Sequence, residues 1–320
     1  MPLTFDFPLE KLKTYQGINP RPDGFDEFWD RGIAEMDAID PDIELSPSDL
    51  HVPFAECLDM YFTGVGTARL HAKLVRPTDA TEPHPAVLMF HGYSGDSGNW
   101  TDKLAYAAMG YTVAALDCRG QGGQSEDVGG VKGNTLRGHI IRGLDDDPTR
   151  MLFREIFLDT AQLAKIVMAM PDVDPGRVGA TGGSQGGGLT LACAALQPDI
   201  KLVAPSFPFL CDYKRVWEMD QDQAAYTELR DYFRKFDPLH EREDEIFTKL
   251  GYIDVQHLAS RIGGRVLLAI GLRDTTCPPS TQFAAYNKIT APKSMAIYPD
   301  FAHENLPGHS DKVFEFMRGL

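Results

Sequence analysis

Residues 177–196 read RVGATGGSQGGGLTLACAAL. A short strand-like run ends in Gly182-Gly183-Ser184-Gln185-Gly186, and a run of helix formers follows from Leu189. The five residues fit G-x-S-x-G, where a sharp strand-to-helix turn lifts a serine hydroxyl clear of the backbone. Glycines flank such a serine because neighbouring backbone passes close to the turn. A glycine-rich turn of this kind can also cradle phosphate at a helix N-terminus. Here no lysine follows in P-loop position and no G-x-G-x-x-G accompanies the turn, so the nucleophile elbow is the better reading.

Working outward, short apolar runs alternate with helical stretches. Strands are predicted over 86–90, 112–117, 177–182, 202–207, 265–270 and 294–298. Helices are predicted near 100–109, 154–169, 185–197, 279–288 and 309–319. Unbroken apolar strands joined by helices imply an α/β fold with a mostly parallel sheet flanked by helices. Before them, Leu58, Met60 and Phe62 alternate with polar residues, Gly64-Val65-Gly66 turns the chain, and Leu70, Ala72 and Leu74 alternate in return. That pattern is an antiparallel hairpin. Residues 1–50 read as a polar N-terminal extension with one helical signal at Phe25, Phe28, Trp29, Ile33 and Met36. Residues 212–262 are charged and helical and break the rhythm. We read them as a helical insertion over the sheet edge, within a single domain spanning 1–320.

In a fold of this kind the acid and then the base follow the serine in chain order. Strand 265–270 leads into Gly271-Leu272-Arg273-Asp274, which makes Asp274 the candidate acid. Strand 294–298 leads into His303, the candidate base, followed by Glu304. His240 and His257 precede Asp274, so chain order disfavours them. His309 stands where the last helix begins, which suits a cap or an exposed position, and His91 is placed to shape the early turn. The oxyanion hole needs two backbone N–H groups. Gln185, after the serine, and Tyr93, in the turn after strand 86–90, are the candidates. Cys277 lies on the stiff loop after Asp274 and is expected to border the substrate's acyl group. No H-E-x-x-H or paired-cysteine motif points to a metal, and no cofactor is expected.

Composition narrows the function further. Lys and Arg number 31 against 46 Asp and Glu, a net charge of −15. Such an acidic chain argues against nucleic acid and against anionic membrane as partners. No run reaches the ~18 apolar residues of a membrane helix. The N-terminus lacks a secretory pattern, and the five scattered cysteines read as free thiols. A cytoplasmic setting is expected.

Three motifs then stand together: Arg119-Gly120-Gln121, Gly182-Gly183-Ser184-Gln185-Gly186 and His303-Glu304. With Phe25-Asp26-Glu27-Phe28-Trp29, Pro208-Phe209-Leu210-Cys211 and Cys277-Pro278-Pro279-Ser280-Thr281, the chain resembles carbohydrate esterase family seven along nearly its whole length. That family holds acetyl xylan esterases and cephalosporin C deacetylases. The resemblance implies an α/β-hydrolase fold, a Ser184-His303-Asp274 triad without metal, and Tyr93 and Gln185 as oxyanion donors. It also implies Arg119 and Gln121 as braces around the site, small acetylated carbohydrates as substrates, and a closed homohexamer. Two departures stand out. Residues 122–150 are shorter and less aromatic than the resemblance leads one to expect, and His91 replaces an apolar residue. Two other readings stay open: an oligopeptidase-like hydrolase, and a non-catalytic ligand receptor on the same fold.

Overall fold

Nine strands among the described residues form one sheet, in the order β1-β2-β3-β5-β4-β6-β7-β8-β9. They are β1 (Glu44–Pro47), β2 (Ala55–Thr63), β3 (Arg69–Pro77), β4 (His84–Phe90), β5 (Thr112–Leu116), β6 (Val173–Gly183), β7 (Leu202–Ser206), β8 (Arg265–Gly271) and β9 (Lys293–Tyr298). The computed structural model describes residues 6–80, 82–132 and 138–320. From β5 to β9 every neighbouring pair is parallel, while β1, β2 and β3 are antiparallel to their neighbours. The expected hairpin is β2–β3, with Phe62 opposite Leu70, Met60 opposite Ala72 and Leu58 opposite Leu74. The short apolar runs all lie in strands. β6 begins at Val173, earlier than its apolar pattern, because Asp174, Pro175 and Gly176 in its first half carry no apolar signal.

The helix Gln185–Leu196 is buried along its full length. It is apolar all round, as a helix enclosed on every side must be. It packs between the sheet and the helix Leu152–Met168, fixing the position of the turn that precedes it.

The N-terminal extension is more structured than its polar sequence suggests. Leu12, Phe25 and Trp29 have no exposed surface, and the Trp29 ring stacks on Phe157 at 5.7 Å. β1 adds an edge strand that the sequence did not signal, because its four residues Glu44–Pro47 carry little apolar pattern. The segment is strapped to the insertion. Tyr15 Oη donates to Asp212 at 2.8 Å, and the Ile18 and Asn19 amides donate to the same carboxylate.

Residues 212–262 form helices Tyr213–Glu218, Thr227–Phe236, Glu243–Leu250 and Val255–Leu258 with short 3₁₀ turns. They leave the C-terminal end of β7 and return at the start of β8. In open α/β sheets ligands bind outside those carboxyl ends.

Candidate active site

Ser184 takes φ 58° and ψ −118° between β6 and the buried helix. A non-glycine residue at positive φ is a strained turn position. The strain is held by packing. A Cβ on Gly186 would overlap the Phe90 carbonyl, and one on Gly182 would come 2.6 Å from the same oxygen. Both positions therefore require glycine, and the serine turn lies backbone to backbone against the end of β4.

His303 Nε2 lies 2.9 Å from Ser184 Oγ, and His303 Nδ1 lies 2.8 Å from Asp274 Oδ2. Asp274 is fully buried. Its other oxygen accepts the Thr276 and Cys277 amides at 2.9 and 2.8 Å. The carboxylate is thus satisfied on one side and aimed at the imidazole on the other. Its partner ring is clamped by Phe207, whose ring stands edge-on at 4.8 Å.

The structure also draws Asp274, Cys277 and His303 together, their ligating atoms lying within 4.8 Å of one another. Those donors are committed elsewhere. Both imidazole nitrogens are engaged by Asp274 and Ser184, and burial, with Asp274 and Cys211 nearby, pushes the Cys277 thiol well above its usual range. The group is better suited to aligning a hydroxyl than to holding a cation. Cys277 is fully buried within the main apolar core and also belongs to this cluster, so it stands where the core meets the histidine-aspartate pair.

Arg119 and Gln121 act on opposite sides of one turn. Arg119 has no exposed surface. It makes two bonds to Asp159 at 2.7 and 2.6 Å, one to Glu155 at 3.1 Å and one to the Val65 carbonyl. It ties the turn to the helix Leu152–Met168 and is no solvated turn residue. Gln121 and Gln185 pair amide to amide, both bonds at 3.0 Å, and Gln121 Oε1 also accepts the Ser94 amide at 2.8 Å. Gln121 therefore links the residue after the serine to the turn that carries Tyr93.

The Tyr93 side chain points to Glu228 of the insertion and donates its hydroxyl to that carboxylate. Glu228 also accepts the Ile140 and Ile141 amides at 2.7 and 3.1 Å. Burial raises the Glu228 carboxyl against the pull of these donors. The sequence reading missed Glu228. The signal was present: in Thr227–Phe236 it shares the face of Leu229, Tyr232 and Phe233, all buried, and is the lone acid on that face. A hollow of about 520 Å³ opens beside it, lined by Tyr93, Ser94, His139, Ala224 and Thr227 among others. Part of the 122–150 rim, residues 133–137, lies outside the described residues.

His309 differs from expectation. It begins the last helix, His309–Met317, but it is buried and its Nε2 lies 2.7 Å from Ser206 Oγ. The Ser206 carbonyl in turn accepts the Ser184 amide. A cap position had suggested a surface residue; the close approach of the last helix to β7 buries it.

A parallel sheet with its serine at a strained elbow and an Asp-His-Ser line at its carboxyl edge defines an α/β-hydrolase, and this line is the apparatus of a serine carboxylic ester hydrolase. The acetyl xylan esterase (AXE1) family matches residues 1–320, and the chain belongs to that family. Acetyl xylan esterase 1 from Thermoanaerobacterium sp. JW/SL YS485 superposes with a TM-score of 0.97 at 61% identity, over 98% of each chain. Acetyl xylan esterase from Paenibacillus sp. R4 superposes at 0.93 and 35% identity, over 98% of this chain and 99% of that one. Acetyl esterase Axe7A from Xylanibacter ruminicola is 27% identical over 309 residues, 93% of this chain, and the chain spans 66% of that relative's length. An acylaminoacyl peptidase from Pyrococcus horikoshii, 19% identical with a TM-score of 0.59, shares the fold alone.

Proposed function

We propose that this chain is a serine carboxylesterase that removes acetyl groups from short acetylated xylo-oligosaccharides, with cephalosporin C as a further substrate. The observation that carries the reading is the continuous line from buried Asp274 through His303 to the strained Ser184. Ser184 attacks the acetyl carbonyl while His303 takes its proton. Asp274 holds the imidazole in the tautomer that accepts at Nε2. The amides of Tyr93 and Gln185 receive the negative charge that develops on the carbonyl oxygen. His303 then protonates the leaving sugar hydroxyl, and water releases acetate along the reverse path. The hollow beside Tyr93, with Ser94, Thr227 and Glu228 in its lining, has the size of an ordinary ligand site and gives the sugar a place to sit.

Two wider features belong to the same proposal. An apolar hollow of about 410 Å³ beside β1, lined by Met36, Ile39, Ile43 and Leu45 among others, lies on the sheet edge with Ile43 and Leu45 exposed. It supports a closed oligomer, which the resemblance sets at six copies. The unpaired thiols support a reducing compartment, the cytoplasm, as the setting.

A kinetic panel of acetylated xylobiose, cephalosporin C, nitrophenyl acetate and a peptide substrate tests the activity. Turnover of the acetyl esters, lost in Ser184→Ala by about six orders of magnitude in kcat, is the expected result. Preference for the peptide, or activity in Ser184→Ala within tenfold of the parent, overturns it. Light scattering at micromolar concentration tests the assembly, and a monomer contradicts it.

A further inference from the structure

His91 takes no part in the serine-histidine-aspartate line, yet both of its ring nitrogens are bonded. Nε2 accepts the Cys118 backbone amide at 3.0 Å. Nδ1 lies 2.7 Å from the Gly92 carbonyl oxygen. A backbone amide only donates and a carbonyl only accepts, so these partners assign the proton to Nδ1 and leave Nε2 bare. The ring is neutral, and burial lowers its pKa in the same direction.

The consequence falls on the next peptide. The Gly92 carbonyl and the Tyr93 N–H belong to one planar trans peptide group and point opposite ways. Whatever holds the carbonyl aims the amide. Two donors hold it: His91 Nδ1 at 2.7 Å and the Gly95 amide at 3.0 Å. The turn is tight there: a Cβ on Gly95 would come 3.0 Å from the Gly92 oxygen and 3.2 Å from His91 Nδ1, so that a side chain would have to push this pair aside by a few tenths of an ångström. At its other nitrogen the same ring grips the residue before Arg119-Gly120-Gln121. One imidazole thus joins the early turn to the turn that supports Gln185.

We propose that His91 is a positioning residue that orients the Tyr93 amide toward the developing oxyanion. The inference rests on the reading of Tyr93 as an oxyanion donor given above.

Three variants separate orientation from mere packing. His91→Asn keeps a donor near the Nδ1 position. His91→Gln keeps an acceptor near the Nε2 position without that donor. His91→Leu keeps neither. Losing an oxyanion donor outright costs 10²–10³ in kcat, so a misdirected one should cost about ten- to a hundredfold. With nitrophenyl acetate, His91→Asn should keep kcat within about threefold of the parent. His91→Gln and His91→Leu should lose about ten- to a hundredfold in kcat with KM changed by less than threefold. Melting temperatures are measured on all three. If His91→Leu keeps kcat within threefold, or if kcat simply follows melting temperature across the set, the positioning role is wrong. If His91→Leu fails to fold, the Asn and Gln pair decides alone. Ser184→Ala is the control: turnover persisting there sinks the underlying esterase reading, whereas its loss together with an active His91→Leu sinks only the role of His91.

Discussion

At the scale of single residues, the triad's geometry turns on where two protons sit. Asp274 Oδ2 can accept only if His303 carries its proton on Nδ1. An amide at position 274 could donate to that nitrogen instead and leave the proton facing Ser184. Asp274→Asn should therefore cost roughly 10⁴ in kcat while the protein stays folded. A larger loss from Asp300→Asn or Glu304→Gln than from Asp274→Asn would show that the wrong carboxylate has been assigned. Cys277 borders the same centre from a loop stiffened by Pro278 and Pro279, since each proline fixes its own φ. An extra methylene that fits gains about 0.8 kcal/mol, whereas overpacking a rigid wall costs roughly 1–3 kcal/mol. Acetate esters should beat butyrate esters by about ten- to a hundredfold in kcat/KM. Cys277→Gly should narrow that ratio with little loss on acetate. An unchanged ratio with a lower melting temperature would make the cysteine a packing residue only.

At the scale of elements, the site is a meeting of the loops that follow the six strands β4 to β9 with one helix of the insertion. Glu228 is the tie that binds the last of these. Its carboxylate is an acceptor surrounded by donors, so Glu228→Gln turns an NH₂ group toward at least one of them. A buried polar group left unpaired costs about 1–3 kcal/mol. The expected outcome is an unfolding free energy lowered by that amount, read as a lower denaturant midpoint at unchanged m-value, and Tyr93→Phe should cost less because the Ile140 and Ile141 amides keep their acceptor. Equal stability of Glu228→Gln and parent would remove Glu228 as a tie. This tie also marks the limit of what the sequence discloses. Ser184, Asp274 and His303 follow strands with clear apolar patterns, so chain order was enough to find them. Glu228, Asp159 and Ser206 act through contacts 135, 40 and 103 residues away along the chain; the helical spacing marks Glu228 as an acid on a buried face, but no local spacing names a partner so remote. β1 escaped for a different reason, being four edge residues with little apolar alternation.

At the scale of the whole molecule, two buried histidines pull stability in opposite directions as pH changes. Burial, then the charges of Lys288 and Arg21, depresses His257 to about 4, and its Nε2 donates to the Pro20 carbonyl. Its contribution is complete above the unfolded value near 6.5 and is lost as pH falls from there toward 4, by up to about 3 kcal/mol. For His71, burial opposes the charged form, but hydrogen bonds to Asp117 and Asp59 at 2.6 and 2.8 Å outweigh it and raise the pKa. That contribution is complete below about 6.5 and is lost as pH rises through the folded value. His257→Gln should flatten the fall in melting temperature between pH 6.5 and 4, while His71→Gln should leave that limb and flatten the alkaline one. Identical acid limbs in His257→Gln and parent would exclude His257 as the source.

The five cysteines, all unpaired and all buried, should leave the folded protein silent to thiol reagents. Burial raises every one of them, and only the thiolate attacks. Labelling must then wait for the chain to open, so the rate at which a maleimide consumes each cysteine becomes a clock for local and global unfolding. Cys57, near one edge of the sheet, and Cys193, inside the helix behind the serine, would time the two ends of that process. The same silence leaves a clean background on which one cysteine introduced at the surface carries a fluorophore to a single address. Rapid labelling of any native thiol at neutral pH would show that its shelter opens without unfolding.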